Sequence, residues 1–307
     1  SKLDALKTAS KQLVDTAFQL DNAQDYVKIG IVPFAQYVNV GMANRNKSWI
    51  SVKPDSTTTT NVCGMETPVV SKSNCHMVTY TAYNDGTPYT YQVEECDYVY
   101  GPPVNVCRDV TNTQAWYGCV GSRNYPLDTE DDSYSTPVPG MMNVSCGAPI
   151  TPLLNDKDAL KTQIDGLVAI GETYIPAGIL WGWTTLSKQE PFDEAYGYDE
   201  VVDGNKVRKI MVVMTDGTNT ISPTYPEHWG SDSAKANTLT SEVCTNVKAK
   251  GITIYAVAFD VTDATIQDLL KGCASSPSNF YSASDATELA DAFQSIAKDF
   301  TPLVLSQ

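Results

Sequence analysis

Two short stretches carry side chains that could do chemistry. Thr215-Asp216-Gly217-Thr218 follows an apolar run at 210–214, and Gly171-Glu172-Thr173 leads into a helical apolar pattern that begins at Ile175. A hydroxyl and a carboxylate are hard oxygen donors, and such donors suit Mg²⁺ or Ca²⁺. Thr173 and Asp216 are therefore the candidate metal ligands. The plainer alternative gives Asp216 a turn and Thr173 a helix cap. The second chemical resource is thiol. The eight cysteines are Cys63, Cys75, Cys96, Cys107, Cys119, Cys146, Cys244 and Cys273. None forms a C-x-x-C pair, and His76 and His228 are the only histidines, so disulfides fit better than zinc. Disulfides imply an oxidising compartment: periplasm, cell surface or outside the cell. Cys244 and Cys273 stand apart from the other six and are expected to pair. For the six within 63–146 the pairing stays open. Sequential pairing, Cys63–Cys75, Cys96–Cys107 and Cys119–Cys146, is the simplest guess.

These groups need a scaffold, and the periodicity supplies one. Residues 2–20 show one apolar helical face through Leu6, Ala9, Leu13, Ala17 and Leu20. Residues 26–34 read as a strand whose end, at Pro33, is an edge or a bend. Leu160, Ile164, Leu167 and Val168 mark a helix. Ile175, Ile179, Trp183 and Leu186 mark another, with Pro176 in its first turn. The apolar runs at 210–214 and 252–259 suit parallel strands buried on both faces. Between them Leu239, Val243 and Val247 mark a helix that stops at Gly251. A last helix opens with Asp285 and Glu288 in capping-box spacing and continues through Leu289, Phe293, Ile296 and Phe300. Strands alternating with helices predict an α/β architecture with a mostly parallel sheet, and ligands in such sheets sit beyond the C-terminal strand ends.

Residues 45–150 are different. They are rich in Thr, Tyr, Asn, Pro and Gly, hold six cysteines and show no helical period. Short pieces such as MVTYTAY and YTYQVEE flank the turn signal Asn84-Asp85-Gly86. The expected division is therefore 1–44 as the first part of the α/β domain, 45–150 as a disulfide-rich insertion of strands and loops, and 151–307 as the remainder. The acidic run Asp128, Glu130, Asp131, Asp132 reads as a solvated loop. Trp181 and Trp183 read as core rather than as a carbohydrate platform.

Among the 307 residues, 21 are basic and 36 acidic, for a formal net charge of −15. That balance argues against nucleic acid and anionic lipid as partners. No apolar run is long enough to span a bilayer. There is no G-x-S-x-G elbow and no H-E-x-x-H, so an enzymatic role is not expected, and no organic cofactor is implied.

The order of strand, long loop, G-x-T before a helix, and apolar strand ending in T-D-G resembles a von Willebrand factor A domain. The phrases VKIGIVPFAQYVNVG, WYGCV, PITPLL, IPAGILWGW, VRKIMVVMTDGTNT and DATELADAFQSIAKDF resemble TadG-like proteins of bacterial tight-adherence (Tad/Flp) pilus systems. The resemblance implies a Rossmann-like sheet with a metal-ion-dependent adhesion site, in which Thr173 and Asp216 match two of three motif parts. It also implies protein partners in the pilus or cell envelope, or self-association, and an adhesion or pilus-assembly role. The third motif part, D-x-S-x-S after a central strand, has no counterpart in this chain; in the family the phrase resembling SKLDALK directly follows it. The resemblance thus places a central strand and the remaining ligands upstream of Ser1, together with a membrane anchor. An upstream segment or a strand donated by another chain is expected to fill the sheet. An alternative reading is a structural subunit of a surface fibre or matrix assembled by strand donation.

Overall fold

A computed structural model describes residues 1–19, 23–84, 87–132 and 134–300. Leu20 and the Asp85-Gly86 part of the turn signal lie outside the described residues. The chain divides into two compact units, one of residues 1–54 and 115–307 and the other of residues 55–114.

The larger unit opens with α1 (Lys2–Ala17), whose Ser1 cap and Asp4 close a reciprocal capping box. The short α2 (Ala23–Tyr26) and strand β1 (Ile29–Ile31) follow, then β2 (Val38–Asn39) and β3 (Ile50–Ser51). After the second unit, the chain continues through β8 (Trp116–Val120), β9 (Val138–Met142), β10 (Thr151–Leu154), α3 (Lys157–Asp165) and α4 (Ile175–Leu186). A small hairpin, β11 (Val201–Val202) and β12 (Asn205–Lys206), precedes β13 (Ile210–Thr215), α5 (Ser233–Ala249) and β14 (Thr253–Phe259). Helix α6 (Ala264–Cys273), β15 (Phe280–Ala283) and α7 (Ala286–Phe300) complete it.

Strands β13, β14 and β15 form a parallel sheet in that order. Alternation sends successive side chains to opposite faces. Met211, Val213 and Ile254 pack with Ile175, Ile179 and Trp183 of α4 and Val243 and Val247 of α5. Tyr255, Val257 and Phe259 pack with Ala9 and Leu13 of α1 and Leu289, Phe293 and Ile296 of α7. The Cys244–Cys273 disulfide, as expected from the sequence, ties α5 to α6 beneath the first of these layers. Helix α5 is C-capped by Lys250, and Gly251 follows at φ +77°, the left-handed C′ position.

The two continuous apolar runs do not end up alike. Beyond its first residue, β14 is buried along its whole length, as a strand covered on both faces should be. In β13 only Met211, Val213 and Thr215 are buried, while Ile210, Val212 and Met214 are half-exposed. The reason is in the ladder: among the described residues β13 pairs with β14 alone. Strand β1 likewise pairs only with β10, antiparallel. Helix α4 packs on both strands. A Cβ on Gly30 of β1 would meet Thr185 Cγ2 at 2.9 Å, and one on Gly182 of α4 would meet Met211 Cε at 3.2 Å. The backbone ladder is thus broken between two strands that share one helix, and no described strand fills the break. Strand β1 is also shorter than the predicted 26–34, and α3 ends before Leu167 and Val168.

The separately compact unit covers residues 55–114, within the predicted 45–150. Strands β2, β8, β9 and β3 form a four-stranded sheet in that order, and its core of Trp49, Trp116, Val120, Val138 and Ile150 packs against Trp181 of α4 and Phe192. Large apolar side chains recur in 45–54 and 115–150 and bury there, so these segments belong to the larger unit. Trp181 and Trp183 are both buried, on different sides of α4.

Residues 55–114 form antiparallel ribbons. Strand β4 (Ser56–Glu66) pairs with β7 (Val104–Gln114), and β5 (Val69–Asn84) pairs with β6 (Thr87–Tyr100). Nested pairing sets the disulfides, and it corrects the sequential guess. Cys63 stands directly opposite Cys107 in the register, and the two are bonded. Cys75 joins Cys96 across the β5–β6 ladder. Of the sequential pairs only Cys119–Cys146 forms, and it lies in the larger unit beside Tyr37.

Candidate functional site

Thr173 and Asp216 stand on the two loops at one end of the parallel sheet, before α4 and after β13. Hydrogen bonds stitch the loops together. The Thr173 N–H donates to Thr220 Oγ1 at 2.9 Å, and the Thr220 N–H donates to the Thr173 carbonyl at 3.0 Å. Asn219 is the stronger clasp. Its Oδ1 accepts from the Ile175 N–H at 2.8 Å, and its Nδ2 donates to Asn237 Oδ1 at 2.9 Å and to Thr240 Oγ1 at 3.2 Å.

This geometry removes both plainer roles offered for the candidate ligands. The N-cap of α4 is Tyr174, and the capping oxygen comes from Asn219 on the other loop, not from Thr173. The turn after β13 is tied by Thr215, whose Oγ1 accepts from the Gly217 N–H at 3.3 Å and donates to the Gly217 carbonyl at 3.1 Å. Asp216 is exposed, Thr173 half-buried, and the Asp216 carboxylate has no hydrogen bond or ion pair to another described residue. Asn219 was not singled out from the sequence. Its only local signal is a polar residue two places after a T-D-G turn, and its three partners are distant in the chain.

Mg²⁺ or Ca²⁺ takes about six or more oxygens. The loops offer one hydroxyl and one carboxylate at the strand ends, so they fit such an ion in part. Among the described residues, the one group of three or more His, Cys, Asp or Glu side chains close enough to share an ion is Cys75, Glu94 and Cys96, and these two cysteines are spent in a disulfide.

The acidic run departs from the expected solvated loop. Asp131 is buried and fully engaged: its Oδ1 accepts from Tyr134 Oη at 3.1 Å, and its Oδ2 accepts from Gln189 Nε2 at 3.1 Å. Asp128 is also buried, and burial pushes its carboxyl up to about 6. His228, buried with φ +55°, is held below the usual imidazole range by the same desolvation. Its carbonyl accepts from Tyr37 Oη at 2.9 Å.

Residues 155–295 match the family model of the von Willebrand factor type A domain. Over those residues the fold is that of a von Willebrand factor type A domain. No curated protein sequence matches the chain. Solved structures resemble the A domain at low identity. The pilus adhesin SpaC from Lactobacillus rhamnosus GG, in its open conformation, is 13% identical over 97% of this chain and 28% of its own, with a TM-score of 0.45. The von Willebrand factor domain of Mfa5, a type V pili tip protein from Porphyromonas gingivalis, is 14% identical over 50% of this chain and 75% of its own, with a TM-score of 0.39. Proximal thread matrix protein 1 from the mussel byssus is 19% identical over 47% of this chain and 28% of its own, with a TM-score of 0.31. The chain thus spans under a third of the adhesin and of the byssus protein. Among the described residues, no helix is long and apolar enough to cross a membrane.

Proposed function

We propose that this A domain is a non-enzymatic, extracytoplasmic adhesion module of a Tad-type pilus system. The observation that carries the reading is the pair of stitched loops at the sheet end, which frees Thr173 from capping and Asp216 from turn formation. Thr173 and Asp216 would hold a divalent cation, Mg²⁺ or Ca²⁺. When bound, the ion supplies an open coordination position for a carboxylate of a protein partner. Asn219 and Thr220 keep the two ligands' loops in register. The four disulfides support a place outside the cytoplasm. Calorimetric titration with Mg²⁺ and Ca²⁺ tests the reading. Asp216→Ala should weaken cation binding at least tenfold with an unchanged circular dichroism spectrum, and a chelator should abolish attachment to the partner surface. Attachment that survives both refutes it.

The break between β1 and β13 supports a second reading. Two half-exposed apolar strands with unpaired edges, sharing one helix, suit an added strand. A strand donated between chains would make this domain a subunit of a surface fibre. Filaments that persist in chelator and in Asp216→Ala favour this reading over the first.

A further inference from the structure

Besides the loops at the sheet end, the larger unit holds a largely apolar recess with a few polar groups that neither reading uses. Its cavity volume is ≈ 30 Å³, and it lies among Gln36, Asp128, Tyr134, Tyr174, Trp181 and Thr184. Two polar atoms in it are buried without any hydrogen-bond partner, Asp128 Oδ1 and Tyr174 Oη. Their residues are 5% and 2% exposed. Buried polar atoms in folded proteins are nearly always paired, so two orphans in one recess mark a place where a partner belongs.

The neighbouring groups define that partner. Arg123 and Lys235 are the cations near Asp128, and both are engaged elsewhere. Arg123 donates to the Glu130 carbonyl at 2.9 Å and stacks over the Tyr134 ring at 4.3 Å. Lys235 donates to Thr224 Oγ1 at 2.7 Å. Asp131, in the same loop, is the structural counterpart: both of its carboxylate oxygens have donors. Asp128 Oδ1 instead has no donor, in a recess also lined by Tyr134, Tyr174 and Trp181. A carboxylate at the base of an aromatic-lined recess is the chemistry that recognises an organic cation, through a charge-assisted hydrogen bond and ring-face attraction.

We propose that this recess binds a primary alkylammonium group, with Asp128 Oδ1 and Tyr174 Oη as its hydrogen-bond acceptors. The group could arrive on a free amine or on a lysine of a partner chain. The recess borders the loop of the cation proposed at Thr173 and Asp216: Tyr174 follows Thr173, and Gln36 Oε1 accepts from the Glu172 N–H at 3.4 Å.

The test is an NMR titration of the whole chain with methylammonium chloride, against sodium chloride at equal ionic strength and against methanol as a neutral control. The expected result is saturable shifts centred on Asp128, Tyr174 and Trp181 with methylammonium alone. Asp128→Asn, which is isosteric and keeps the loop packed, should weaken binding at least tenfold, and Tyr174→Phe several-fold. A Gly-Lys-Gly peptide that binds at least tenfold tighter than methylammonium assigns the site to a partner's lysine; equal affinity assigns it to free amines. No saturable shift, an equal response to methanol, or undiminished affinity in Asp128→Asn would overturn the proposal and leave the recess to ordered water.

Discussion

Strand β14 and the ribbon strand β4 are both extended segments of an acidic chain, yet they are kept in order by opposite means. Beyond Thr253, all of β14 is buried, between α5 and α6 on one face and α1 and α7 on the other. Every residue of β4 is exposed, and its order comes from the ladder to β7, from cross-strand contacts such as Thr59 with Thr111 and Asn61 with Asp109, and from the Cys63–Cys107 bond. The β5–β6 ribbon is similar, with Tyr80 stacked on Tyr91 and Lys72 paired to Glu94. Two-stranded ribbons bury too little apolar surface to hold themselves, so covalent links take over that role. The lesson is that apolar burial is concentrated in one unit, while the other, which holds two of the four disulfides, relies on its covalent links for order.

That contrast can be broken by substitution. The largest effect should come from the buried sheet. Ile254→Ala empties a fully buried site and should destabilise the larger unit by about 2–5 kcal/mol, read from its denaturant midpoint. An equal loss from a substitution at exposed Val93 would erase the distinction. Next is the disulfide. Replacing Cys63 and Cys107 together by Ser should cost the ribbon about 2–4 kcal/mol. Hydrogen exchange would then show faster amides throughout β4 and β7 with β14 unchanged; faster exchange in β14 would mean that the two units share their stability.

The smallest effect sharpens the contrast at the level of charge. The described carboxylates of the ribbon are exposed, whereas Asp128 is buried with its carboxyl raised to about 6 from an ordinary 3.8. A raised carboxyl favours the folded state only while protonated, so its contribution is complete below about pH 3.8 and is lost as the pH rises through 6. Asp128→Asn should therefore match the parent near pH 4 and exceed it above pH 6 by at most about 3 kcal/mol, read from melting curves across that range. A stability gap independent of pH would show that the carboxylate is already compensated.

Much of the scaffold was legible in the sequence. Helical periodicity located α1, α4, α5 and α7, and the runs at 210–214 and 252–259 located β13 and β14, because side-chain spacing along one element is a local property. The cap of α7 was legible too: Asp285 Oδ1 accepts from the Glu288 N–H at 2.9 Å, while the Glu288 carboxylate accepts from Ser284 instead of Asp285. Thr173 and Asp216 could be named from their motifs, but their local roles could not, since Asn219 had displaced one and Thr215 the other.

The sequence by itself determined the α/β alternation, the candidate oxygen donors, and the separation of Cys244 and Cys273 from the other cysteines. Those features depend on residues near one another in the chain or on simple counts. Only the tertiary structure decided that Cys63 meets Cys107, that the ribbon is confined to 55–114, that β13 is half-covered while β14 is enclosed, and that Asp128 is buried with its Oδ1 lacking a donor beside an engaged Asp131. Each of these depends on which distant segments become neighbours. Burial, pairing and desolvation are properties of that arrangement, not of the residue that undergoes them.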